Sequence, residues 1–332
     1  MRRIIQCGIL VVLSCASEVR VFQESRILMD TSVSISIYAV SEPENWRSHV
    51  DAAFRKMARI EALTTSYNDS SQIGQVNIAA GNEQVEVAPE VINIVEMALS
   101  VGEESNGAFD ITVLPLLRLW DFKSERPSVP SPEAVENTLA SVDYEQVLRS
   151  DNNLYLPVSG MGIDLGGIAK GYAVDAAFEH LHALGYRDFM VEAGGDLRVT
   201  SGETTRGLRR VWIRHPRKRD DFFGHILMDA GAVASSGDYE RYFEKDGKRY
   251  HHIVDPATGY PKEGVMSVTI IAPSTALADA YSTAVFVLGP EDGMRLIENK
   301  PDIEGLIILD SDGEELQWIA SSLFEQQLVL KQ

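Results

Sequence analysis

The stretch that most constrains this chain is residues 162–177, GIDLGGIAKGYAVDAA. It predicts a short strand closing at Asp164, a glycine turn, and then a helix. Gly166 and Gly167 carry no Cβ, so another group can approach their backbone closely. Lys170 falls at the helix start, near free N–H groups and the positive end of the helix dipole. Ala173, Val174, Ala177 and Leu181 recur at helical spacing and give that helix an apolar side. An acid, an unhindered backbone and a lysine around one helix N-terminus suit a phosphorylated ligand with a metal ion. The same pattern also describes a plain glycine turn between a strand and a packed helix.

Residues 31–38, TSVSISIY, alternate with period two and predict a half-buried strand. Residues 43–63 predict a helix with Trp46, Val50, Phe54, Met57 and Ile60 on one side, and residues 89–105 a second, with Pro89 tolerated in its first turn. Residues 66–77 are polar and turn-rich, and 107–122 are apolar but broken by Pro115. A proline-rich loop at 124–132 is the best candidate for an internal division. A short helix at 131–139 and a strand at 153–158 precede the central stretch. Beyond it, strands are expected at 188–192, 211–214, 225–228, 231–235, 249–254 and 265–272, and helices at 275–287 and 290–300. Strands at 305–309 and 314–320 flank the turn Asp310-Ser311-Asp312-Gly313. Strands crowd the second half without strict β-α alternation. That predicts an α+β fold of mixed or antiparallel sheets with packed helices, not a doubly wound parallel sheet.

Among the 332 residues, 30 are Lys or Arg and 49 are Asp or Glu, a net charge of −19 with no basic block expected. This balance argues against nucleic acid and against an electrostatic grip on anionic lipid. An anionic ligand would need local help from a helix N-terminus, a lysine or a bound cation. At the front, Met1-Arg2-Arg3 is charged and residues 4–13 are apolar but too short to span a bilayer. Val12-Leu13-Ser14-Cys15 resembles a bacterial lipobox. The expectation is a lipoprotein signal peptide over residues 1–14, a tether over 15–26 and one domain over 27–330, held at the periplasmic face of a bacterial inner membrane through lipid on Cys15. The only other cysteine is Cys7, so the cleaved chain can form no internal disulfide.

Three further constellations carry chemistry. Asp279 and Thr283 stand one turn apart on one helix face and offer only oxygen, which suits magnesium rather than zinc. Solvation of Asp279 and back-bonding of Thr283 would explain them equally. His251 and His252 end a strand before the turn 255–259. Adjacent strand residues point to opposite faces, so both on one metal is disfavoured, and either can be a general base or a satisfied turn histidine. Ser235-Ser236-Gly237, like Gly194-Gly195-Asp196, is a small turn able to hold phosphate or nothing. Neither a Gly-x-Ser-x-Gly elbow nor a Gly-x-Gly-x-x-Gly dinucleotide pattern occurs.

Taken in order, these motifs resemble the ApbE family of FAD:protein FMN transferases. The resemblance runs from about Leu28 to near the C-terminus. It rests on Met29-Asp30-Thr31, on Ser66-Tyr67 with Ser71 and Asn77, and on Phe109-Asp110-Ile111-Thr112 leading to Trp120-Asp121-Phe122. It continues through residues 164–172, Gly194-Gly195-Asp196, Ser235-Ser236-Gly237, His252-Ile253-Val254-Asp255-Pro256 with Thr258-Gly259, and Asp279-Ala280 with Thr283. The resemblance implies a fold related to flavin- and pterin-handling T-folds. It implies magnesium-dependent transfer of FMN from FAD to a threonine or serine of an acceptor flavoprotein subunit of a membrane redox complex, with AMP leaving. It implies a metal site of Asp279, Thr283 and the Gly167 carbonyl, with Ser282 where some members have an acid. Met29, Tyr67, Ala108, Phe109, Asp110, Asp164, Lys170 and Val254 match FAD-contacting positions, and His252 is the candidate base. Asp30 and Asp121 depart from the family, which commonly has glycine at both. A magnesium-dependent FAD pyrophosphatase or a non-catalytic FAD-binding lipoprotein would use the same residues.

Overall fold

The computed structural model describes residues 18–202, 207–310 and 315–331. The leader, Cys7, Cys15 and residues 311–313 of the expected turn lie outside them. An eight-stranded sheet forms the middle layer. Its strands, in spatial order, are Arg20–Leu28, Thr31–Ala39, Phe189–Ala193, Asp196–Val199, Gly231–Gly237, Val265–Ala272, Glu304–Leu309 and Gln317–Ala320, and every neighbouring pair is antiparallel. The α+β expectation is met.

Period-two patterning assigns the two faces of this sheet. Val33, Ile35, Ile37, Phe189, Val191 and Ile270 enter one core, against the helices Trp46–Thr64, Ala169–Ala183 and Thr275–Leu288. Leu197, Val199, Val233, Leu306 and Ile308 enter a second core on the opposite face. That core is closed by a three-stranded sheet, Leu328–Leu330, Phe222–Met228 and Arg209–Arg214, with the short helix Ser322–Gln327. A third, smaller core gathers Leu116, Trp120, Val135 and Val254 under the hairpin Tyr242–Lys245/Lys248–His251.

Several expectations are corrected. Residues 20–26, expected as tether, belong to the edge strand Arg20–Leu28. The polar stretch 66–77 holds the helix Gln72–Ile78, started by Ser71, whose hydroxyl accepts from Gly74 N. Pro115 breaks nothing, because it sits in the first turn of the helix Leu114–Trp120, where no amide is needed. The strand expected to close at Asp164 is not a strand. Residues 161–165 carry no regular structure and are held by a side chain and a distant loop: Ile163 N donates to Asn77 Oδ1 at 2.6 Å, Asn77 Nδ2 donates to Ile163 O at 2.9 Å, and Asp164 N donates to Ile111 O at 2.8 Å. Among the described residues no helix is long and apolar enough to cross a membrane.

Candidate active site

Two helices build the buried half of the site. Ala169–Ala183 and Thr275–Leu288 cross at Gly171, where a Cβ would lie 2.3 Å from Thr275 O, so only glycine lets them meet so closely. Asp175 locks the crossing. Its carboxylate accepts from Thr275 N at 3.0 Å and Ala276 N at 2.9 Å, and it pairs with Arg198. This carboxylate at a helix N-terminus meets orphan amides and the positive dipole end. The crossing brings Asp279 to the first turn of the partner helix, where its Oδ2 accepts from Gly171 N at 3.1 Å.

Lys170 turns inward and forms an ion pair with Asp196. Two buried carboxyl groups, Asp196 and Asp279, draw the ammonium inward. Burial works to lower the Lys170 pKa, but the charges of Asp196 and Asp279 hold it above its ordinary value. Burial pushes the Asp196 carboxyl up to about 8; the Asp279 charge adds to this and Lys170 opposes it. Burial raises Asp279 as well. Asp196 is fully buried, and its Oδ1 has no hydrogen-bond partner. One ammonium thus faces two carboxyl groups whose burial favours their neutral form.

One turn along the helix, Thr283 Oγ1 lies 3.2 Å from Ser236 Oγ and 3.4 Å from where a Gly167 Cβ would be. The same ideal Cβ would meet the Phe109 ring at 3.0 Å, so Gly167 is enclosed between Phe109 and Thr283. Ser282 turns away from this opening. It is fully buried, donates to Asp279 O at 2.8 Å and lies 2.7 Å from Ser236 Oγ. Asp110 is spent on its own loop. Its carboxylate accepts from Thr112 N and Oγ1, each at 2.6 Å, and from Tyr144 N at 3.1 Å, and burial raises its pKa. These bonds fix the start of the short turn Ile111–Val113, next to Phe109.

Asp164 links the buried half to the rim. Its Oδ1 accepts from Gly166 N at 2.8 Å and its Oδ2 from Ser66 Oγ at 2.5 Å. Next to Ser66, Tyr67 is 60% exposed, and Lys123 Nζ stands 4.2 Å from its ring centroid. Lys123 and Arg241 both pair with Asp30, at 3.3 and 3.8 Å. The Arg241 carbonyl accepts from His252 N at 3.0 Å, which brings the second histidine to this rim. Met29 belongs to the same hairpin tip and donates its N–H to Glu61.

The two histidines divide as their strand geometry predicts. His251 is the satisfied turn residue, with Nε2 on Lys262 O at 2.7 Å and Nδ1 accepting from Ile253 N at 3.3 Å. His252 keeps a buried Nδ1 with no partner, and burial lowers its pKa to about 3, with Arg241 adding to the shift. Val254 pairs with Pro261 and packs in the third core, presenting backbone more than side chain.

The ApbE family pattern matches residues 29–307. The chain belongs to the ApbE family. A curated FAD:protein FMN transferase of Klebsiella pneumoniae is 32% identical over 295 residues, covering 88% of this chain and 90% of that protein. The ApbE protein of Thermotoga maritima superposes with a TM-score of 0.84 at 37% identity, over 93% of this chain and 99% of its own. The flavin transferase ApbE of Vibrio cholerae does so with a TM-score of 0.81 at 28% identity, over 94% of this chain and all of its own. With relatives of this kind over nearly its whole length, the chain is a transferase.

The two departures from the ApbE pattern have a backbone explanation. Asp30 has φ of 59° and Asp121 φ of 44°, both in the left-handed region that favours glycine and that aspartate tolerates better than most residues. Sequence reasoning passed over Asp175 and Gly171 as actors. It read Asp196 and Ser236 only within the small turns Gly194-Gly195-Asp196 and Ser235-Ser236-Gly237, without their partners Lys170 and Ser282.

Proposed function

We propose that this ApbE protein is a magnesium-dependent FAD:protein FMN transferase. The observation that carries this reading is the convergence of Asp279, Thr283 and Gly167 beside the buried Lys170–Asp196 pair. A carboxylate, a hydroxyl and a backbone carbonyl are hard oxygen donors and fit magnesium, and Asp279, Thr283 and Gly167 are the residues that would hold it. Ser282, with its hydroxyl committed, positions Ser236 and the Asp279 turn. When bound, magnesium supplies the charge neutralisation that phosphoryl transfer requires.

The remaining work falls to the chain. The face of Phe109 and the bare backbone at Gly167 give the diphosphate of FAD a close approach. Asp164, fixed by Ser66 and Gly166, and Tyr67, exposed on the rim, orient the nucleotide. Lys170 keeps Asp196 from repelling that anion. The acceptor hydroxyl attacks the FMN phosphorus; a phosphoester bond forms, the diphosphate P–O bond breaks, and AMP leaves. The hydroxyl proton passes to a base, for which His252, with its Nδ1 unpartnered, is the candidate. The anionic substrate raises the basicity of that nitrogen in the complex. The acceptor is a flavoprotein subunit of a membrane redox complex, and the enzyme meets it from the periplasmic face, held by lipid on Cys15.

The test incubates the protein with FAD, magnesium and an acceptor domain and weighs the acceptor by mass spectrometry, with a chelator control. A mass gain of one FMN phosphoester, lost with chelator, is expected. Free FMN and AMP with an unmodified acceptor would make it a pyrophosphatase, and intact bound FAD a binding protein.

A further inference from the structure

The net charge of −19 hides a local reversal. The strand Arg209–Arg214 buries Val211 and Ile213 and turns Arg210, Trp212 and Arg214 outward. On its neighbour, the outward positions are Phe222 and His225, whose rings lie 5.0 and 4.8 Å from that of Trp212. Trp212 is 48% exposed and Phe222 43%. Val329 pairs with His225 and extends the patch. The adjoining loop adds exposed Lys218 and Arg219. Asp220 and Asp221 are the acids there, and Lys331 neutralises Asp221; Arg214 is paired with Glu240. Exposed aromatic rings among basic groups on an otherwise acidic protein complement an interface of anionic headgroups over acyl chains.

The position of the chain start points to the same surface. Val21 pairs with Tyr38, and the Arg209 guanidinium lies 4.1 Å from the centroid of the Tyr38 ring. The first strand therefore enters at the corner where the basic sheet begins. Arg20 stands only five positions after Cys15, a reach of roughly 17 Å. With a leader held in the bilayer, as the proposed lipoprotein reading has it, that tether brings this corner to the membrane.

We propose that the outward face of the three-stranded sheet, centred on Trp212, Phe222 and Arg210 with Lys218 and Arg219, is a docking surface for anionic phospholipid. It fixes how the enzyme sits on the bilayer. The net charge of −19 argues against an electrostatic grip on anionic lipid; the proposal rests instead on the local placement of these basic and aromatic groups.

The test reconstitutes the full chain in vesicles containing phosphatidylglycerol brominated near the top of its acyl chains and reads tryptophan quenching. Of the four tryptophans, Trp46 and Trp120 are buried and Trp318 is half-buried, packed on the second core against Phe223, so quenching should come mainly from Trp212 and fall by more than half in Trp212→Phe. The triple variant Arg210→Glu, Lys218→Glu, Arg219→Glu should reduce it several-fold, as should replacing the anionic lipid by brominated phosphatidylcholine. Transfer to a soluble acceptor in detergent should be unchanged in both variants, which reports separately on fold and function. Unchanged quenching in both variants overturns the proposal, as does a full chain that leaves the vesicles. Trp212 shielded by cross-linking to a second copy overturns it in favour of a dimer face.

Discussion

The buried half of the site and its rim are built on opposite terms. In the buried half, Asp279, Asp196, Ser236, Ser282 and Thr283 are tied to one another, to Lys170 or to backbone by hydrogen bonds and ion pairs, and two helices touch at a glycine. On the rim, Tyr67, Lys123, Asp30 and Arg241 meet through exposed ion pairs and a cation–π contact. Exposed pairs are worth about 0–1 kcal/mol, whereas buried networks fail as units. Under the proposed function, the buried half sets whether the reaction occurs, and the rim sets how well substrates are held.

Substitutions can break this contrast, and the expected effects descend in order. Asp279→Ala should abolish FMN transfer. Asp279→Asn keeps the acceptor for Gly171 N, so it should fold, melt within a few degrees of the parent and lose on the order of 10³-fold in kcat. Full magnesium-dependent transfer by either would remove Asp279 from the metal site. Gly171→Ala places a methyl against the Thr275 carbonyl and should cost about 3 kcal/mol, read by chemical denaturation. A variant as stable as the parent would show the crossing to be loose.

His252 sharpens the comparison, since it sits on the rim yet is shielded. Its folded pKa of about 3 lies below the unfolded value near 6.5. Its contribution to stability is therefore complete above pH 6.5 and is lost as pH falls from 6.5 toward 3, because the unfolded chain takes up the proton first. Between pH 6.5 and 5 the parent should lose about 1–2 kcal/mol that His252→Gln does not lose. Equal acid limbs in the two proteins would place the ring in solvent. The smallest effect belongs to Asp30→Gly, which relieves a left-handed backbone but gives up two exposed ion pairs. Stability should change by less than about 1 kcal/mol; a larger loss would move Asp30 into the structural half.

Much of the scaffold was legible because it is written in local periodicity. The strand Val265–Ala272 and the start of the helix Thr275–Leu288 coincide with their expected bounds. What escaped depends on distant partners. The edge strand Arg20–Leu28 leaves Val21 and Ile27 exposed, so its alternation carries little apolar signal. Asp164 reads as the end of a strand because its neighbours are apolar, but its segment pairs with Asn77, 86 positions from Ile163. In the site, the residue types of Asp279, Thr283 and Gly167 were legible. The fate of Lys170 was not, since the carboxylate it meets is 26 residues away, and no spacing rule connects them.

The strand order has a consequence in time. Thr31–Ala39 pairs with Phe189–Ala193, so the first hairpin leaves the ribosome long before its sheet partner exists. Such non-local pairing slows folding, and here nothing can close the main sheet until more than half the chain is made. Under the proposed lipoprotein reading the delay is useful: a translocation channel takes threads, and this topology keeps the thread from becoming a globule too soon.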